Sequence, residues 1–238
     1  MPKKPSELSF FDHLDELRWR LVICLLALTL ACFIFYSCID QFLSFVVKPV
    51  GRLVFTSPVD AFMARIKLTV WGGLFFSSPV IIYQIWQFVS SALKPGERKF
   101  IQWALPFSII LFIAGIAFGY WVMVPISIHF LMNFSSDLLV PMITVNNYIS
   151  FLGTFVLGFG ITFELPLVLA FLIKIGIATP EFLIHYRSHA IVIILIISAV
   201  MTPPDVVSQL LMAVPLCVLY EISIFACKIV FRKNQKYS

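Results

Sequence analysis

Apolar positions along the 238-residue chain gather into long runs separated by short polar punctuation, and each run is read as a membrane-spanning helix. The runs cover about 20–38, 66–93, 100–133, 148–175, 190–201 and 206–231, which predicts an all-α protein with six spans. Ahead of the first run the pattern changes. Phe10, Leu14, Leu17 and Leu21 recur at helical spacing on one face, which turns Asp15, Glu16 and Arg18 toward headgroups or water. This amphipathic preamble continues into the first span without a break.

The connection 39–65 holds Pro49, Gly51 and Pro58 as breakers and Asp40, Lys48, Arg52 and Asp60 as mixed charges, yet it is too apolar for a loose linker. Short helices packed on the outer rim are expected there. The second run carries Ser78-Pro79 and an aromatic band, Tyr83, Trp86 and Phe88, expected at the cytoplasmic interface, followed by a tight turn at 94–99. The third run exceeds what a bilayer requires and contains Pro106 and Pro125, so it should tilt, kink or project before an outer connection at 134–147. Phe163-Glu164-Leu165-Pro166 lies well inside the fourth run, and Thr179 is placed to N-cap a short surface helix through Arg187. The fifth run has only about a dozen residues, or about 18 Å at 1.5 Å per residue. That is short for a hydrocarbon core of about 30 Å. Thr202-Pro203-Pro204-Asp205 turns the chain into the sixth run, which holds Gln209, Pro215 and Glu221, so the hairpin thins the bilayer or sinks polar ends into it.

Composition fixes the class. With 61% hydrophobic and 12% charged residues, the chain has more apolar surface than a soluble domain of this length can bury. An acidic segment precedes the first run and no small-x-small site follows it, so no cleavable signal peptide is expected. The net charge of +5 is dispersed over helix ends and forms no broad patch, which argues against a nucleic-acid partner. Most of the basic residues fall in alternate connections that include both termini, which predicts that the N and C termini are cytoplasmic. The five cysteines form no C-x-x-C pair, and no disulfide, metal or cofactor is expected. Catalytic motifs are absent, so an enzyme is not expected. His185 and His189, one turn apart, lack a matching set of metal ligands, and His13 and His129 are lone helix members.

Three constellations remain as candidates. An ionisable residue at mid-membrane costs about 2.5–3.5 kcal/mol on insertion scales. Glu164 is therefore either functional or a bonded group that stiffens the bundle. Pro166 frees a backbone carbonyl near Thr162, so Thr162 and Glu164 together form an intramembrane polar site. The second constellation is at the surface. Glu16 and Glu97 can present two carboxylates to a pair of guanidinium groups, and two such contacts discriminate arginine from lysine where one does not. The competing readings are self-neutralised pairs, Glu16 with Arg20 and Asp15 with Arg18, and a Glu97 that merely favours the start of a helix. The third is the short hairpin itself.

These residues resemble the TatC family, the multispanning core of the twin-arginine protein translocase. His13-Leu14-Asp15-Glu16-Leu17-Arg18-Trp19-Arg20-Leu21 is similar to the family's opening, Ser78 to Trp86 to its second-helix signature, Phe163 to Pro166 to its fourth-helix motif, and Thr202 to Asp205 with Gln209 to its hairpin turn. The resemblance implies a concave, glove-like bundle in the bacterial inner membrane and a non-enzymatic receptor for Arg-Arg signal peptides. Such a receptor moves folded proteins with single-span TatA- and TatB-type partners, self-associates and draws on the proton-motive force. It implies signal-peptide contact for Glu16 and Glu97, support by Arg18, a sensitive Pro49 in the first outer loop, and partner docking around Thr202 and Gln209, with Asp205 in the hairpin turn. Ser91, Lys94 and Asp60 depart from the family's usual proline, tyrosine and glutamate. The alternative is a proton- or ion-coupled small-solute transporter using Glu164, which predicts repeated halves that the sequence lacks.

Overall fold

The computed structural model describes residues 10–51, 53–91, 93, 98–133, 142–202 and 205–232. Among them the secondary structure is helical, apart from one isolated bridge between Val54 and Thr144. Helix α1, Phe10–Tyr36, joins the amphipathic preamble and the first span in one unbroken rod. Helix α2, Ile39–Val47, is the rim helix expected after it. Its C-terminal carbonyls are capped from elsewhere in the fold. Tyr120 donates its hydroxyl to the Phe45 carbonyl at 3.0 Å, and Tyr148 donates to that of Val46 at 2.7 Å. Pro49 lies exposed in the turn that follows, ahead of Gly51, whose φ of 82° is the left-handed conformation that glycine adopts without penalty.

Helix α3, Pro58–Ser91, starts well before the expected residue 66. Pro58, read from the sequence as a breaker, is instead the first helical residue, where its missing N–H is no loss. Asp60 Oδ2 accepts from the backbone N–H of Thr56 (3.3 Å) and of Ser57 (3.2 Å), and the Asp60 N–H donates to Ser57 Oγ at 3.2 Å. That reciprocal cap fixes the start.

Helix α4, Arg98–Phe118, runs through the π turn Gly119–Met123 into α5, Val124–Met132. Pro106 does not break α4. The irregularity falls just ahead of Pro125, where a missing N–H and a ring that crowds the preceding turn are relieved by one extra residue per turn. The expected fourth span is divided into α6, Val145–Thr162, and α7, Leu165–Lys174. Pro166 has no N–H to return to the preceding turn. The chain tightens there, with Glu164 N–H on the Ile161 carbonyl (3.1 Å) and the Leu167 and Val168 N–H groups both on the Glu164 carbonyl (3.0 Å). Thr179 Oγ1 accepts from the Phe182 N–H at 3.1 Å and caps α8, Pro180–His185, as the sequence predicts. Helix α9, Arg187–Met201, and α10, Val206–Arg232, complete the chain.

Among the described residues, five helical segments are long and apolar enough to cross a membrane: His13–Tyr36, Pro58–Ser91, Arg98–Met132, Val145–Lys174 and Val206–Ile229. The sixth apolar helix, α9, has 15 residues and spans only about 22 Å. Helix α1 packs on α3, α3 and α4 pack on α6, and α10 packs on α7 and α9. The main core gathers around Ile149, Phe155, Phe159, Met212 and Leu216, and a second cluster around Ile82, Trp86, Ile101, Ala104 and Phe112. Trp86 therefore departs from the interfacial band expected of it: it is 6% exposed, whereas Tyr83 in the same stretch is 47% exposed. Ile101, Ala104 and Phe112 of α4 bury it and Ser108 accepts its N–H, which the hydropathy pattern does not encode.

The α1–α3 contact depends on two glycines. A Cβ on Gly73 would lie 2.3 Å from Cys32 Sγ and 3.2 Å from the Cys32 backbone, and one on Gly72 would enter the Phe35 ring. Gly73→Val is expected to destabilise the bundle by about 1–3 kcal/mol through overpacking, read as a lower thermal midpoint of the detergent-solubilised protein. An unchanged midpoint would mean that α1 docks without that close approach.

Candidate functional site

Glu16 sits in the second turn of α1 and Arg20 one turn further on, so the helical repeat places their side chains together. Arg20 Nε donates to Glu16 Oε1 at 3.0 Å and Nη2 reaches the same oxygen, while Nη1 donates to Gln84 Oε1 on α3 at 3.0 Å. Ser91, the last residue of α3, flanks the same carboxylate. The i,i+4 pair foreseen for Glu16 is thus formed, but it is not a closed one. Both arginine contacts fall on Oε1, and the Glu16 side chain keeps 25% exposure against 16% for Arg20. Asp15 and Arg18 are exposed and no ion pair joins them, so the second self-neutralised pair is not present. Glu97, with the rest of the turn at 94–97, lies outside the described residues.

Glu164 occupies the break between α6 and α7. Its Oε2 accepts from Ser108 Oγ on α4 at 2.6 Å, and Ser108 in turn accepts from Trp86 Nε1 on α3 at 3.1 Å. Oε1 is buried and has no partner among the described residues. A carboxyl in apolar surroundings is thereby held by a donor relay from two other helices. Thr162 is not brought into this relay, because its hydroxyl bonds back to the Gly158 carbonyl at 2.7 Å. Ser108 and Trp86 were not singled out from the sequence as chemistry. The available signal was a serine inside an apolar run, on the helical face shared by Ala104 and Phe112.

The short hairpin is tied from within. Asp205 Oδ1 accepts from the Ser208 N–H at 2.7 Å and N-caps α10, while Gln209 Nε2 donates to the Leu195 carbonyl of α9 at 3.1 Å. Thr202 is buried, with its hydroxyl on the Ser198 carbonyl at 2.8 Å. Pro203 and Pro204 lie outside the described residues. What the hairpin presents outward is apolar: Val200 is 81% exposed, Val206 69% and Leu210 48%. Asp205→Ala is expected to cost about 1 kcal/mol by removing the cap, measured as a fall in the thermal midpoint that Asp205→Asn largely avoids. At the other end of α9, Arg187 pairs with Glu221 at 2.8 Å. The rings of His185 and His189 both pack against Tyr186.

A family model described as the Sec-independent protein translocase protein (TatC) matches residues 12–215. The chain belongs to the TatC family. It is 43% identical to the TatC protein of Carboxydothermus hydrogenoformans over all of this chain and 98% of that one. The TatC of Helicobacter pylori is 39% identical, with 92% of this chain and 87% of the relative covered. A crystal structure of a twin-arginine translocase receptor TatC superimposes with a TM-score of 0.84 at 38% identity, covering 91% of this chain and 98% of that one. The chain is therefore a component of the Sec-independent translocase and a multi-pass protein of the bacterial inner membrane. It is no enzyme, and the solute-transporter alternative gives way to the family's protein cargo. Membership of the translocase carries with it the existence of Tat partner subunits.

Proposed function

We propose that the chain is the signal-peptide receptor of a twin-arginine translocase, with both termini and the Glu16 end of the bundle facing the cytoplasm. Glu16 and Glu97 receive the two arginines of the signal, and the exposed Arg18 supports that surface. The observation that carries this reading is the Glu16 carboxylate, oriented by Arg20 and flanked by Ser91 yet still partly exposed. Arg20, itself anchored on Gln84 of α3, grips one oxygen and fixes the direction of the group, while the side chain remains partly open. A carboxylate oriented in advance binds a guanidinium at less entropic cost than a free one.

TatA- and TatB-type single-span subunits dock on the apolar outer face of the α9–α10 hairpin, whose shape Thr202, Gln209 and Asp205 maintain. Pro49 closes the rim turn, Glu164 serves as the polar station at mid-membrane, and copies of the chain associate in the working complex. Folded cargo then crosses at the expense of the proton-motive force.

Membranes containing the chain are expected to retain a tagged precursor with an Arg-Arg signal at least tenfold better than its Lys-Lys version. Planar bidentate geometry is available only to guanidinium groups. Equal retention of the two precursors would remove the receptor role while leaving the family membership intact.

A further inference from the structure

Below α2, a cleft of about 320 Å³ opens between α3, α4, the π turn and α6. Its walls are apolar, and Trp121 (68% exposed) and Ile113 (48% exposed) stand at its mouth on the lipid-facing surface. Two helical stripes lead into it from the end of the bundle opposite Glu16. On α3 the stripe runs Lys67, Trp71, Phe75, and on α6 it runs Asn146, Ser150, Gly153, Leu157. Both stripes are polar at the top and apolar below.

At the top, Lys67 Nζ donates to Asn146 Oδ1 and to Ser150 Oγ, each at 2.7 Å. Both partners are neutral, and no carboxylate among the described residues pairs with this half-buried cation. One turn deeper the indole N–H of Trp71 is buried over Gly153 with no acceptor among the described residues. A buried donor left in that state is disfavoured until it finds a partner. Deeper still the lining is wholly aliphatic and aromatic.

We propose that this cleft is a binding site for one anionic glycerophospholipid. Lys67 takes the phosphate, an ester carbonyl meets the Trp71 N–H as the ring swings off Gly153, and one acyl chain fills the cleft past Phe75. The order of chemistry down the stripes, cation, then donor, then apolar wall, is the order of an amphiphile read from its headgroup inward. A helical turn of about 5.4 Å separates the first two levels. Lys67 lies about two and a half turns inside the start of α3 and bonds to Asn146 and Ser150 in the first two turns of α6, so in this proposal it meets the headgroup where the hydrocarbon begins. A zwitterionic lipid brings its own ammonium to compete for the phosphate, so an anionic headgroup is preferred. The proposal does not rest on the signal-peptide reading.

The test uses the full chain reconstituted in equal parts phosphatidylglycerol and phosphatidylcholine, released into mild detergent, with the lipid that stays bound weighed by native mass spectrometry. Retained phosphatidylglycerol is expected to exceed phosphatidylcholine, to fall about tenfold in Lys67→Gln and to persist in Lys67→Arg. Ala117→Leu, which fills the cleft without touching the cation, is expected to displace it as well, and this variant decides the matter should Lys67→Gln not fold. Acyl-brominated phosphatidylglycerol should quench a component of tryptophan fluorescence that Trp71→Phe removes. Equal retention of the two lipids, or retention unchanged in both Lys67→Gln and Ala117→Leu, overturns the proposal. So does a Lys67→Gln variant that keeps its lipid but loses a co-purifying partner subunit, which would assign the cation to an acidic residue of a partner helix.

Discussion

Replacing Glu16 by arginine is expected to reduce photocrosslinking of an Arg-Arg signal peptide to the chain by tenfold to a hundredfold at equal protein abundance. The substitution removes a carboxylate and puts a guanidinium beside Arg20, whose Nη1 stays on Gln84. A charge-assisted hydrogen bond contributes about 1.5–3 kcal/mol, and each 1.4 kcal/mol is a factor of ten in affinity. Glu16→Gln keeps an acceptor and loses only the charge, so its effect should be smaller. Arg20→Gln separates two roles for the ion pair. An arginine that occupied the site in place of the peptide would, once removed, strengthen crosslinking. One that orients Glu16 would weaken it a few-fold, and that is the outcome expected from its second anchor on α3. Undiminished crosslinking in Glu16→Arg would remove the assigned site.

Glu164→Leu is expected to abolish transport of a folded Arg-Arg precursor while leaving the bundle at least as stable, and Glu164→Gln is expected to retain much of the activity. Two costs oppose one another here. Leucine deprives Ser108 of its acceptor, worth about 1 kcal/mol, but it also removes a carboxyl whose placement at mid-membrane costs about 2.5–3.5 kcal/mol. The second is larger. Stability should therefore hold and activity should not, which is the signature of a group kept for function. Glutamine still accepts from Ser108 and keeps a polar group at the same depth. Ser108→Ala is the complementary change. It strands both the Trp86 N–H and the carboxyl, to which Ser108 is hydrogen-bonded in the unaltered chain, and is expected to lower the thermal midpoint. Equal transport by Glu164→Gln and Glu164→Leu would leave the polar station idle.

Local sequence was sufficient wherever the determining contact lies within one turn or one cap. The continuity of the preamble with α1, the Thr179 cap of α8, the i,i+4 meeting of Glu16 with Arg20 and the brevity of α9 are all set by neighbours in the chain, and all were legible in it. Pro58 reads as a breaker in the sequence because a proline both ends and starts helices. Only the Ser57–Asp60 cap behind it tells which. Pro166 marks a freed carbonyl in the sequence, but hydropathy has no term for a helix that divides in two and so merges α6 with α7.

Composition and periodicity determined that this chain lives in a membrane as a set of apolar helices, because water and lipid sort side chains by polarity wherever the fold puts them. The four motifs determined its family. Tertiary structure alone decided which residues complete the polar groups that bond from one helix to another. Ser108 and Trp86 come to Glu164 from two other helices, Gln84 comes to Arg20 across 64 residues, and Tyr120 and Tyr148 close the end of α2. In an apolar interior a polar atom takes whatever partner packing brings within about 3 Å, and distance along the chain carries no record of that choice.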